Sequence, residues 1–132
     1  MMDASRVLRL YEGRGGASLQ TLGASLALRV VRDGVAIRVT VASEPVEWYV
    51  DVEELSTRTR VHDWCDYLGY DDTPIAELER DMATEVLEFV DGLFLRKLRF
   101  VRRGRRGKSR LEWLVDGRWT QAVPFILQTD AR

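Results

Sequence analysis

With 132 residues, 45% of them hydrophobic and 31% charged, the chain has a globular composition, far from the weakly hydrophobic, highly charged class of disordered chains. A net charge of −1 argues against nucleic-acid or membrane-surface binding over the whole molecule, but leaves room for a local basic patch. The single cysteine, Cys65, excludes an intramolecular disulfide and fits a reducing compartment.

Met1, Met2, Asp3 and Ala4 offer no basic segment leading into an apolar stretch, so no signal peptide is expected. No apolar run nears the ~20 residues of a spanning helix. The expectation is one cytoplasmic domain over 1–132, without a membrane segment and able to bury roughly two-thirds of its unfolded surface.

Arg6 to Tyr11 reads as a first strand, although Val7, Leu8 and Leu10 do not alternate cleanly. Gly13, Gly15 and Gly16 break it. The run GRGG lacks the spacing of a phosphate-cradling loop and reads as a turn.

Ser25 to Arg32 and Val35 to Ala42 are expected strands, joined at Asp33 and Gly34, a pair favoured in two-residue type I′ hairpins. Pairing Arg32 with Val35 sets Val30 opposite Ile37, Leu28 opposite Val39 and Leu26 opposite Val41 on a core face. The other face brings Arg29 opposite Arg38. That like-charge pair calls for a neighbouring acid, for which Glu47 or Asp51 would serve, or for an anionic ligand.

The next strand, Val46 to Val52, turns Val46, Trp48, Val50 and Val52 inward and Glu47, Tyr49 and Asp51 outward. Glu53 and Glu54 continue the outward side, giving an acidic surface with one large amphipathic aromatic, a mixture suited to a protein interface. Thr57 to His62 reads as a short edge strand and Asp63 to Leu68 as a short helix ended by Gly69. The segment through Asp72 gathers Asp66, Tyr67, Tyr70, Asp71 and Asp72 into a second interface candidate, expected to join the first in one acidic patch.

Ile75, Leu78, Met82, Val86, Phe89, Val90 and Leu93 recur at helical spacing. This predicts a helix from Pro74 to Asp91, with Thr73 as N-cap, Pro74 at the first position and Gly92 as a left-handed C-cap. Glu77, Glu79, Asp81, Glu85, Glu88 and Asp91 fall on the exposed side, against Arg80 alone. The sign then reverses, with nine cations among the fifteen residues 96–110 and no acid. Leu95 to Arg102 is an expected strand, with Leu98 and Phe100 inward and Arg99 outward. Arg103 to Lys108 is a basic turn, and Arg110 to Val115 returns as the partner strand. Asp116 and Gly117 begin a further hairpin into Arg118 to Val123, with Leu114 opposite Trp119.

The expected architecture is α+β: an antiparallel β-meander with one long amphipathic helix packed on it and a C-terminal antiparallel hairpin series. His62 and Cys65 lack the further ligands of a zinc site, and their spacing suits no nucleophilic pair. Cys65 is expected to be buried and His62 to lie at the surface. No nucleophile, base and oxyanion combination stands out, and no metal or cofactor is implied.

The leading functional expectation is a non-enzymatic protein-binding domain, such as a stoichiometric inhibitor or neutralising partner of the bacterial immunity-protein type. It would use Glu47, Tyr49, Asp51, Glu53, Asp66, Tyr67, Tyr70, Asp71 and Asp72 against a basic protein. The alternative is a nucleic-acid-binding module using the basic hairpin 96–110 through Arg99, Arg102, Arg103, Arg105, Arg106, Lys108 and Arg110. An enzyme of unassigned class stands third.

Overall fold

Asp33 and Gly34 both take left-handed backbone, with φ of 51° and 78°, and close a two-residue hairpin at the position expected from sequence. The computed structural model, which describes residues 3–43, 45–67, 72–102 and 109–124, builds outward from this turn. Strands β2 (Ser25–Arg32) and β3 (Val35–Ser43) pair in the expected register, with Val30 opposite Ile37 and Leu28 opposite Val39. β4 (Val46–Glu54) follows with strict alternation, its Val46, Trp48, Val50 and Val52 buried. Ala17–Leu22, unassigned from sequence, forms β1 on the far side of β2 after the glycine-rich turn.

The fifth strand, β5 (Thr59–Tyr67), bears out the edge strand expected over Thr57 to His62 from Thr59 onward, and runs on through residues 63–67, where a short helix was expected. Val50 pairs with Trp64 and Asp51 with His62, leaving Asp63 as the extra residue of a β-bulge. The bulge shifts the inward side from Val61 to Trp64. The resulting spacing of three imitates helical periodicity, which is why the part of the strand after the bulge reads as a short helix in the sequence. The five strands form an antiparallel meander in chain order.

The N-terminal segment is helix α1 (Ala4–Leu10), not a strand. The Asp3 side chain accepts from the Arg6 N–H, and Ala4, Val7, Leu8 and Tyr11 are buried along one helical face. The long helix α2 runs over Ile75–Leu95, a residue later at its start and four later at its end than expected. Pro74 rather than Thr73 is the N-cap, and Arg96 rather than Gly92 is the C-cap. Gly92 is needed inside the helix for space. A Cβ there would stand 2.4 Å from the Trp113 ring. Arg32 reaches from β2 to donate to the Leu93 carbonyl, serving the helix C-terminus.

Burial along the α2 stripe fades toward its N-terminus, from Met82 through half-buried Leu78 to Ile75, which is 65% exposed against expectation. Glu85, expected outside, is 8% exposed. Tyr11 ties α1 to α2 by donating to Asp91 and stacking on Phe94 at 5.5 Å.

The second sheet is antiparallel, with order β6 (Leu98–Val101), β7 (Arg110–Val115) and β8 (Arg118–Gln121). Leu114 faces Trp119 as expected, and Asp116 and Gly117 form a second left-handed turn. The expected sidedness of β6 holds, with Leu98 buried and Arg99 exposed, but β6 and β8 are shorter than expected. The turn expected over Arg103 to Lys108 lies outside the described residues. The sheet is tied to the meander where Leu98 N–H donates to Asp33 Oδ2 at 2.9 Å. Between the inner face of the meander, the helices and β7, an aromatic cluster fills the core. Trp48 meets Trp64 edge-on at 4.4 Å, and Phe89 touches Trp48, Trp64 and Trp113. The architecture is α+β as expected. Among the described residues no helix is long and apolar enough to cross a membrane.

Candidate functional site

Because side chains alternate along each strand, the register fixes which residues meet on the side of the meander away from the helices. One row across all five strands reads Ser18, Arg29, Arg38, Asp51 and His62. The next reads Gln20, Ala27, Thr40, Tyr49 and Cys65, and a third carries Ala42 and Glu47. On the other side of the first row, Ala36, Glu53 and Arg60 line up. Glu47, Tyr49, Asp51 and Glu53 thus form one column on β4, as alternation alone requires.

What alternation on β4 cannot show is the neighbours. Asp51 is shared: Oδ2 accepts from Arg38 Nη2 at 3.1 Å, and Oδ1 lies 3.0 Å from His62 Nδ1. Glu53 Oε2 lies 3.2 Å from Arg58 and 3.4 Å from Arg60. These pairs are partly exposed and contribute little to stability, about 0–1 kcal/mol each. Their effect is on the surface, since the column expected to be acidic becomes a face of interleaved charges. Of the acids expected near the Arg29 and Arg38 pair, Asp51 is in place and pairs with Arg38. Tyr49 stands beside His62 with ring centroids 5.6 Å apart. Cys65, expected to be buried, is exposed on this face, because the bulge turns it outward opposite Tyr49. His62 is at the surface as expected.

The face is hollowed. Ala27 and Thr40 near its middle are fully covered. A cavity of about 350 Å³ opens where Arg29, Arg38, Asp51, Glu53, Arg60 and His62 converge, within the size range of ~300–1,000 Å³ of small-ligand sites.

The second acidic candidate does not join this face. Asp66 stands opposite Trp48 on the core side of β5 and is hydrogen-bonded to Glu85. Burial, together with Asp66, pushes the Glu85 carboxyl up to about 8. Trp48 Nε1 donates to Glu85 Oε1 at 3.0 Å. At the bulge, burial likewise raises the Asp63 carboxyl to about 6, despite a hydrogen bond from the Leu111 backbone and the nearby charge of Arg110. Tyr67 is the register partner of Glu47, Tyr70 and Asp71 lie outside the described residues, and Asp72 is exposed ahead of α2.

On the basic hairpin, Arg99 and Arg110 grip one carboxylate. Glu112, 3% exposed, accepts two N–H groups of Arg99 on Oε1 and two of Arg110 on Oε2, at 2.6 to 3.0 Å. Burial by itself would raise the Glu112 carboxyl, but the two guanidinium groups hold it below its usual range. Arg99 also covers the Trp119 ring at 4.3 Å, and Arg102 lies 3.6 Å from Glu54. Arg103, Arg105, Arg106 and Lys108 lie outside the described residues.

Sequence reasoning places Arg29 opposite Arg38 and His62 at the surface but assigns neither to a site, and it does not single out Arg60 or Gln20. Their convergence becomes visible only once β1 and β5 are paired into the sheet. Among the described residues no group of three or more His, Cys, Asp or Glu side chains is arranged to hold a metal ion. No model of a known protein family matches the chain, and neither a characterised protein nor a solved structure does so.

Proposed function

We propose that the chain is a non-enzymatic protein-binding domain that takes its partner on the outer face of the five-stranded sheet. The observation that carries the reading is the composition of that face, where Tyr49 is set among Glu47, Asp51, Glu53, Arg38 and His62, on a sheet whose other side is core. An aromatic anchor within interleaved charges supplies contact area at small entropic cost, while the charges select and orient the partner. A rigid sheet presents them without a folding cost on binding. A stoichiometric inhibitor or an immunity-type neutralising protein is the functional class that works through such a surface alone. The exposed thiol of Cys65 persists in a reducing compartment, so we take the encounter to be cytoplasmic.

The test is association and dissociation of a partner isolated from the native source, with Tyr49→Ala and Glu47→Lys compared with wild type. Tyr49→Ala is expected to speed dissociation, and Glu47→Lys to change the association rate most at low salt. Kinetics identical to wild type for both variants would remove the reading.

A further inference from the structure

The outer face holds a charge arrangement that its own residues leave incomplete. Arg29 and Arg38 are direct partners across β2 and β3, and like charges so placed repel. Asp51 answers only one of them. Its two oxygens are occupied by Arg38 and His62, and the other acid of the cavity wall, Glu53, is held by Arg58 and Arg60. Arg29 is exposed, and its side chain makes no hydrogen bond or ion pair among the described residues. Arg38 keeps a buried Nε without a partner. The cavity of about 350 Å³ is lined by both arginines. Its walls carry Arg29, Arg38 and Arg60 against Asp51 and Glu53, three cations to two anions, a surplus of one positive charge with His62 neutral.

We propose that this cavity is a binding site for a single carboxylate group, received between Arg29 and Arg38. A guanidinium presents parallel N–H donors that match the two oxygens of a carboxylate, and the side chain of Arg29 offers such a fork unused. Chemistry selects among anions. A monoanion balances the one surplus charge, whereas a phosphate dianion would bring its second charge against Asp51 and Glu53. The volume exceeds that of a carboxylate, leaving room beside Ala36 and Gln20 for a short body attached to it. The same group is carried by a free small acid and by the C-terminus of a peptide, and the site is expected to take it in either form. The inference does not depend on the protein-binding reading, because the cavity is complete within one chain.

The experiment is a titration of the full chain followed through the arginine side-chain Nε–H signals by NMR. The probes are propionate as a free acid and N-acetylglycine as a C-terminus, each beside its amide, with inorganic phosphate as a further anion. Saturable shifts at Arg29 and Arg38 with the acids, absent with the amides and weaker with phosphate, are expected. Tighter binding of N-acetylglycine would assign the site to a peptide end, and tighter binding of propionate to a free acid. Arg29→Gln should weaken binding roughly tenfold or more, as for loss of a charge-assisted donor, while Arg118→Gln on the second sheet leaves it unchanged. Arg29 is exposed, so its replacement should leave the fold intact, which the backbone spectrum of the variant checks directly. Equal shifts for acid and amide, preference for phosphate, or binding untouched by Arg29→Gln would overturn the proposal.

Discussion

Trp48 donates its indole N–H to Glu85 Oε1 at 3.0 Å, so a helix residue that spacing assigns to solvent is a partner of the largest fully buried side chain in the core. The carboxyl is hydrogen-bonded to Asp66 as well, which joins α2 to β4 and β5 through one group. Glu85→Lys would bury an ammonium and leave the Trp48 donor without an acceptor. A loss of about 3–5 kcal/mol is expected. Val86→Asp, at a fully buried position, should be comparably severe. Urea unfolding followed by tryptophan fluorescence measures both, and a Glu85→Lys midpoint equal to wild type would show that this hydrogen bond is not formed.

The same carboxyl makes stability depend on pH. Its value in the fold is about 8 against an ordinary 4.5, and that of Asp63 about 6 against 3.8. In both cases the folded state holds its proton more tightly than the unfolded chain. The stabilisation is complete below the unfolded values and is lost as pH rises through the folded ones. Stability should therefore fall from about pH 4.5 to pH 8. Glu112, whose carboxyl is lowered, acts in the opposite sense at more acid pH, losing its contribution as pH drops through its folded value. Glu85→Gln retains an acceptor for Trp48 and is expected to flatten the upper part of the fall, leaving the Asp63 portion near pH 6. Urea midpoints across this range check the sign, and a wild-type midpoint that rises between pH 6 and 8 would contradict it.

Gly92→Ala tests the packing of the second sheet on α2. Helix propensity alone favours alanine by about 1 kcal/mol. The added Cβ would lie 2.4 Å from the Trp113 ring and from Arg96 Nη1, so the ring must shift. Overpacking of this kind costs about 1–3 kcal/mol, and net destabilisation is expected in a thermal melt. Gly15→Ala, where a Cβ meets nothing within 4 Å, serves as the comparison and should leave the melting temperature nearly unchanged.

Much of the fold is legible in the sequence wherever the signal is local. The Asp-Gly pairs at Asp33 and Asp116 set two hairpins and their registers, and the alternation of Val46 to Val52 sets the β4 column of the candidate site. The failures have physical causes of longer range. Asp63, the bulge residue, breaks the period of two in β5 and so conceals the continuation of that strand past His62, which turns Cys65 outward. The buried face of α1 is only Ala4, Val7, Leu8 and Tyr11, too short a stretch for its period to stand out from a strand. Gly92 resembles a helix stop, yet its role is set by Trp113, which lies twenty-one residues further along.

Glu112 holds two of the described cations of the basic segment, Arg99 and Arg110. Replacing it with Gln would remove the charge that holds Arg99 and Arg110, at a cost of about 1–3 kcal/mol after allowing for the partly exposed arginines. The second sheet should loosen first, seen as faster amide exchange in β6 and β7 than in β2 and β3. Uniform exchange across both sheets in the variant would show that these ion pairs do not organise the hairpin.

Cys65 gives the most direct measurement of where a partner docks, because it is the only cysteine in the chain and lies exposed on the outer face opposite Tyr49. Its alkylation rate can be followed by mass spectrometry for the free chain and for the complex with a protein partner isolated from the native source. Marked slowing in the complex is expected, with the free rate restored when Tyr49→Ala weakens binding. A stable complex in which Cys65 reacts as fast as in the free chain would contradict docking on the outer face of the five-stranded sheet.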